Sequence, residues 1–325
     1  MAAPWGYSTS SRAESSRLPR VADAREEMRR SSFRASSEPS VGTRGLDSRA
    51  ARRSAGLRSR CIVGVGMAEY TLAQEGAEEL ERARLGLLEK VCDPLTVRQL
   101  DAIGVGEGWR CLDVGAGAGS VTRLLAERVG DSGSVLAIDL DVRLLEPLAG
   151  GRIEVRRHDL LAEPLPDAGF DLVHARNLLM HLPGRLDALR RLLAVVRAGG
   201  WLALCEPDFS DLAISPPSPA WRRAWTAFID ATVAGGFDPG YGARLMGDLE
   251  ALDLADLEAE TAVRYVRGGS VDARLFADSL VRFQERMLAL GAADDDLAAA
   301  QRLLRDPIVT FRRPAHTTAW GRRRD

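Results

Sequence analysis

The stretch Cys111-Leu112-Asp113-Val114-Gly115-Ala116-Gly117-Ala118-Gly119-Ser120 carries the densest chemical signal in the chain. A short apolar run leads into it and a helical pattern leads out, so the glycines fall where a strand becomes a helix. Glycine lets the main chain turn sharply and lets a ligand approach it. The helix start adds free N–H groups and the positive end of a dipole. A dinucleotide loop, G-x-G-x-x-G, is one candidate, but the sixth position from Gly115 is Ser120 and the strict pattern fails. Asp113 beside the loop would repel a pyrophosphate and suits a ligand with a cationic amine or sulfonium. A Gly-rich turn that binds nothing is the plainer alternative.

Asp139 closes a second apolar run and lies 20 residues after Gly119, where an acid accepts hydrogen bonds from ribose hydroxyls. With the loop, it resembles the class I S-adenosylmethionine (SAM)-dependent methyltransferases, whose first motif has the form (E/D)-x-G-x-G-x-G. The resemblance covers residues 67–325, and the order of its motifs is more specific than any one of them. It implies that Asp113, Gly115, Ala116, Gly117 and Gly119 border SAM, that Asp139 holds its ribose, and that Leu140 touches its adenine. In Arg157-His158-Asp159-Leu160, it implies that Asp159 accepts from the adenine amino group while the main chain about Leu160 meets the ring. Phe170-Asp171-Leu172-Val173 and His181-Leu182 are similar to the family's fourth motif, with Asp171 structural and Arg176 near the methionine part of SAM. Tyr70 and Gln74 begin a helix that closes over SAM in related enzymes, where a Tyr70 hydroxyl could reach the carboxylate. The bland readings are a solvated Asp139, a loop cap at Asp159 and an exposed Tyr70.

Transfer of a methyl from a sulfonium needs alignment and exclusion of water more than activation of the leaving group. A base is required when the nucleophile is a phenol or alcohol. His181 is the foremost candidate, since histidine titrates near neutrality; packing is its ordinary alternative. Glu206 and Asp208, just past a fifth apolar run, are further catalytic candidates, with capping or ion pairing as the alternative. Trp221, Trp225, Phe228, Phe237 and Tyr241 follow. The first three share one helical face, which fits core packing and a substrate pocket equally. In the family, the region after the fifth strand joins the N-terminal helix as a lid, so a fairly apolar small organic acceptor is expected.

These groups need a sheet edge to hold them. Residues 110–114, 134–139, 153–158, 170–175 and 200–205 read as strands. Between them, 120–129, 142–148 and 185–197 read as helices. The alternation predicts a doubly wound, mostly parallel α/β sheet with right-handed crossovers, and the resemblance implies seven strands. Beyond residue 208 the pattern predicts helices at 219–234, 242–251, 272–290 and 293–304, a sixth strand at 257–266 and a last at 316–320. Before the sheet, helical spacing at 72–91 stops at Asp93-Pro94, predicting a separate second helix at 95–104. The lid is expected from 67–104 and about 209–256.

The 325 residues carry a net charge of −2, which hides an asymmetry. Residues 1–66 hold 13 Arg against 6 acids, or +7, leaving −9 for the rest. This Ser/Arg-rich tail has little apolar periodicity and reads as disordered. A transit peptide, a nucleic-acid arm, and an inert or over-extended start before Met67 all remain open for it. The acidic remainder disfavours a nucleic-acid partner, and SAM with a small acceptor is the expected pair. An RNA or protein methyltransferase using the tail, a nicotinamide dehydrogenase and a non-catalytic SAM-binding protein are the competing readings. Cys61, Cys92, Cys111 and Cys205 show neither zinc-clip nor redox spacing. No His pattern suggests a metal, and no apolar run is long enough for a membrane span. The expectation is a cytoplasmic enzyme, with secondary metabolism a fitting context; a homodimer is left open.

Overall fold

The computed structural model describes residues 77–165 and 168–325. The tail 1–66, with Cys61, and Tyr70 and Gln74 lie outside them. The chain order is α1 (Ala77–Ile103), β1 (Arg110–Val114), α2 (Ser120–Val129), β2 (Ser134–Asp139), β3 (Ile153–Arg157), β4 (Phe170–Arg176), α3 (Arg185–Val195) and β5 (Val196–Asp208). Next come β6 (Ile214–Ser215), α4 (Pro219–Ala234), α5 (Leu245–Glu250), β7 (Ala255–Ala262) and β8 (Tyr265–Arg267). The chain continues through α6 (Val271–Ala289), α7 (Asp294–Arg305), β9 (Thr310–Arg312) and β10 (Ala315–Arg322).

Seven strands form one sheet in the order β3-β2-β1-β4-β5-β10-β7. The first five run parallel, and β10 is antiparallel to both β5 and β7. Successive side chains point to opposite faces, so both faces need cover. Leu112, Val114, Val173 and Ala175 pack with Leu189 and Leu192 of α3 on one side. Cys111, Val135 and Leu172 pack with Leu100 of α1 and Leu125 of α2 on the other. The result is the expected doubly wound fold. A separate core of Trp221, Phe228, Phe276, Met287, Leu297 and Phe311 joins α4, α6 and α7. A small antiparallel sheet, β6-β9-β8, accompanies it and was not foreseen.

Several boundaries differ from expectation. No break occurs at Asp93-Pro94: α1 is one helix of 27 residues with Pro94 inside it. An interior proline costs a helix about 3 kcal/mol. Burial of Val91, Cys92, Leu95 and Leu100 outweighs that cost, and Gln99 donates to the carbonyls of Leu204 and Ala319 in the sheet. The helix expected at 142–148 is only a 3-10 turn, Glu146–Leu148. β5 extends to Val196–Asp208 at both ends. The expected strand at 257–266 is divided between β7 in the large sheet and β8 in the small one. Among the described residues, no helix is long and apolar enough to cross a membrane.

Candidate active site

The carboxyl ends of β1, β2, β3 and β4 open into one cavity of about 310 Å³. Its first wall is the glycine turn. The N–H groups of Gly115 and Ala116 both donate to Ile138 O, at 2.9 and 3.2 Å, tying the turn to β2. Gly117 has φ +59, a left-handed conformation that side chains disfavour. Its N–H donates to Asp139 Oδ2 at 2.8 Å. Gly115, Ala116 and Gly117 all line the cavity. Gly119 does not, so the structure gives it a different task from ligand contact. At φ +80 it starts α2, and a side chain there would collide with Leu148 and come within 3.0 Å of Leu145.

Asp113 borders the cavity, but its oxygens turn inward. Thr122 Oγ1 donates to Oδ2 at 2.7 Å, and His174 Nδ1 lies 3.3 Å from Oδ1. Its observed role is to brace the turn against α2 and β4, rather than to meet a cation as expected. Asp139 stands at the cavity edge, accepting also from Asp141 N–H at 3.1 Å. Burial pushes its carboxyl above the usual range, against the lowering effect of those N–H bonds. Leu140, Asp159 and Leu160 continue the same wall. Asp159 Oδ1 also accepts from the N–H groups of Leu161 and Ala162, so this residue caps its turn while facing the cavity. A nucleoside fits this arrangement: two carboxylates stand beside apolar leucines along one sheet edge, next to a glycine turn that leaves the main chain bare.

Arg176 lines the cavity, but its guanidinium is committed elsewhere. It donates to Asp93 Oδ1 at 2.8 Å, Thr96 Oγ1 at 2.9 Å and Ser120 Oγ at 2.8 Å. Ser120 Oγ in turn donates to Asp93 at 3.0 Å. This knot fastens the middle of α1 to the start of α2 and the end of β4. Arg176 therefore places its side chain among protein groups, and only its location at the strand end matches expectation.

The catalytic candidates separate. His181 lies on the cavity wall, its ring 5.2 Å from that of Phe237. Burial and the positive charges of Arg84 and Arg282 push its imidazole down to about 3. It is thus neutral at physiological pH rather than titrating there. Glu206 is fully buried and does not line the cavity. It accepts from the N–H groups of Leu178, Leu179 and Met180 at 3.0, 2.8 and 3.3 Å, holding the turn that carries His181. Asp208 also lies off the cavity wall and caps Ser210 N–H at 2.9 Å. Both acids are corrected from catalytic to structural positions, because strand β5 runs further than expected and keeps them in register with β10.

Burial raises Glu206 from 4.5 to about 7. An acid raised on folding binds its proton more tightly in the native state, so its contribution to stability is lost as pH rises through that window. We expect the Tm of wild type to fall relative to that of Glu206→Gln from about pH 4.5 to about pH 7. A wild-type Tm that rises relative to that of Glu206→Gln over this range would show that the three N–H groups dominate burial.

The far half of the cavity is aromatic. Phe209, Phe228 and Phe237 line it, as do Phe276 and Phe283 of α6. Phe209 meets Phe237 at 5.5 Å, and Phe228 meets Phe283 at 5.4 Å. Trp221 and Trp225 instead stack at 5.9 Å beside the helical core. The aromatic stripe thus divides between packing and cavity. The contributions of α6, and of Leu85 and Leu88 on α1, were missed by sequence reasoning, since apolar residues at helical spacing carry no mark of which ones meet a cavity. Among the described residues no three His, Cys, Asp or Glu side chains converge as a metal site.

Residues 112–204 match a family described as a methyltransferase domain. Over 227 residues the chain is 30% identical to Methyltransferase str2 of Strobilurus tenacellus, spanning 68% of this chain and 81% of that protein. Over 160 residues it is 33% identical to the ubiquinone/menaquinone biosynthesis C-methyltransferase UbiE of Pseudomonas savastanoi pv. phaseolicola, spanning 47% of this chain and 58% of that one. The YcgJ protein of Bacillus subtilis aligns with 70% of the chain at 16% identity and a TM-score of 0.48. The glycine turn, the carboxylates at the ends of β2 and β3 and the length of the shared sequence agree: this chain belongs to the class I SAM-dependent methyltransferases.

Proposed function

We propose that the protein methylates a small, largely apolar organic acceptor seated between α4, α6 and the segment after β4. The observation that supports this reading is the continuity of the cavity, which joins the nucleoside wall to an aromatic chamber. Bound SAM supplies an electrophilic methyl on a sulfonium. The chain's own residues bind, orient and exclude water: Asp139 and Asp159 hold the nucleoside, and the phenylalanines hold an apolar body out of bulk solvent. His181, neutral and on the wall, accepts a hydrogen bond from the acceptor's nucleophile and orients it.

The test is turnover of a diverse acceptor library, read as a mass gain of one methylene unit. Apolar ring-bearing acceptors should be turned over ahead of RNA or peptides. Activity confined to RNA or peptide would reject the reading. His181→Ala should lower turnover about 100-fold and leave SAM affinity within about threefold. Unchanged turnover would remove His181 from the chemistry.

A further inference from the structure

One polar corner of the cavity holds buried groups that lack a partner among the described residues. It lies where the middle of α1, the end of β4 and the turn between β9 and β10 meet. Asn177 and Arg313 both border the cavity there, and both reach the same point on α1. Arg313 donates to Val91 O at 3.3 Å, and Asn177 Nδ2 lies 3.9 Å from Cys92 Sγ. His316 completes the corner, with Nε2 at 3.5 Å from Cys92 Sγ. Arg313 is 1% exposed, yet its Nε–H has no partner among the described residues, and neither has Asn177 Oδ1. Native interiors rarely leave such groups unmet, because a buried donor or acceptor without a partner is costly. Asn177 also holds φ +54, fixed by its N–H on Cys205 O at 2.8 Å. A left-handed residue other than glycine on a cavity wall is strain stored beside a functional surface.

We propose that this corner receives the acceptor, and that the group it receives is a neutral carbonyl flanked by a hydroxyl. The proposal rests on the acceptor reading above and narrows it. The Nε–H of Arg313 donates to the carbonyl oxygen, and Asn177 Oδ1 accepts from the neighbouring O–H. Asp272 Oδ1 already lies 3.1 Å from Arg313 and balances its charge. A carboxylate would therefore bring an uncompensated negative charge into the interior, whereas a ketone needs only the donor. The rest of the acceptor lies among Phe228, Phe276 and Phe283.

The experiment uses the full chain saturated with S-adenosylhomocysteine. Calorimetric titration compares a panel of 2-hydroxyaryl ketones with 2-alkylphenols and 2-hydroxyaryl carboxylates matched in ring number. The wild type should bind the best ketone at least about tenfold more tightly than its two counterparts. Asn177→Gly keeps the left-handed backbone, and Arg313→Lys keeps the charge facing Asp272. In both, the preference should fall below about threefold while S-adenosylhomocysteine affinity is retained. If no ketone is preferred by the wild type, or the preference survives in both variants, the proposal is overturned. The wild-type comparison decides alone if a variant does not fold. Failure of the wild type to bind S-adenosylhomocysteine would strike the cofactor assignment instead.

Discussion

Asp139→Ala should weaken binding of SAM and of S-adenosylhomocysteine by about 100-fold, as read by equilibrium titration. A hydrogen bond to a charged group contributes about 1.5–3 kcal/mol, and a ribose diol offers two donors to one carboxylate. The carboxylate is set in place before any ligand arrives, since Gly117 N–H and Asp141 N–H hold its two oxygens at 2.8 and 3.1 Å. Removing it also takes away the bond from Gly117 N–H, leaving the turn tied to β2 only through Gly115 and Ala116, which adds to the loss. Asp139→Asn should fall between wild type and Ala, because it keeps the shape and half of the acceptors. An Ala variant within about threefold of wild type would refute the ribose assignment.

Arg176→Leu should lower stability by about 3 kcal/mol, because it removes the buried guanidinium from Asp93, Thr96 and Ser120 together and leaves Asp93, 29% exposed, with only the Ser120 hydroxyl and water. For a domain of this size that corresponds to a fall in Tm of roughly 10 °C, measured by differential scanning calorimetry. The Arg176 side chain is 9% exposed and joins three separate elements. SAM affinity should fall with it, since the knot fixes the half of α1 that carries Leu85 and Leu88 onto the cavity. The double variant Arg176→Leu, Asp93→Leu should recover part of the loss, as apolar replacement of a whole buried pair is tolerated better than removal of one member. A Tm within about 3 °C of wild type in the single variant would mean that the ion pair contributes little.

The parallel half of the sheet was legible in the sequence because β1, β2, β4 and the middle of β5 are buried on both faces and read as short apolar runs, while the edge strand β3 shows as Ile153 and Val155 alternating with charged residues. The glycine turn and Asp139 were legible for the same reason, being fixed relative to strand ends. Pro94 misled because local propensity sees the missing N–H but not the sheet that Gln99 and Leu100 reach. Glu206 misled because an acid at a strand end looks the same whether it faces a cavity or three backbone N–H groups. Phe276 and Phe283 were hidden in an amphipathic pattern shared with the ordinary core residue Leu280. Asn177 gave no signal of its left-handed backbone, which is fixed by its N–H on Cys205 O in the neighbouring strand.

The place of β10 has a further consequence. Residues 315–322 are made after 255–262, yet they lie between that segment and 196–208. During synthesis β5, already paired with β4, presents one open edge, and β7 emerges without its sheet neighbour, the state most prone to join another nascent chain. Registry across this gap is long-range in the chain, so closure comes late and slowly. The vulnerable interval in the life of this protein lies on the ribosome, before its final ribbon is threaded into the waiting slot.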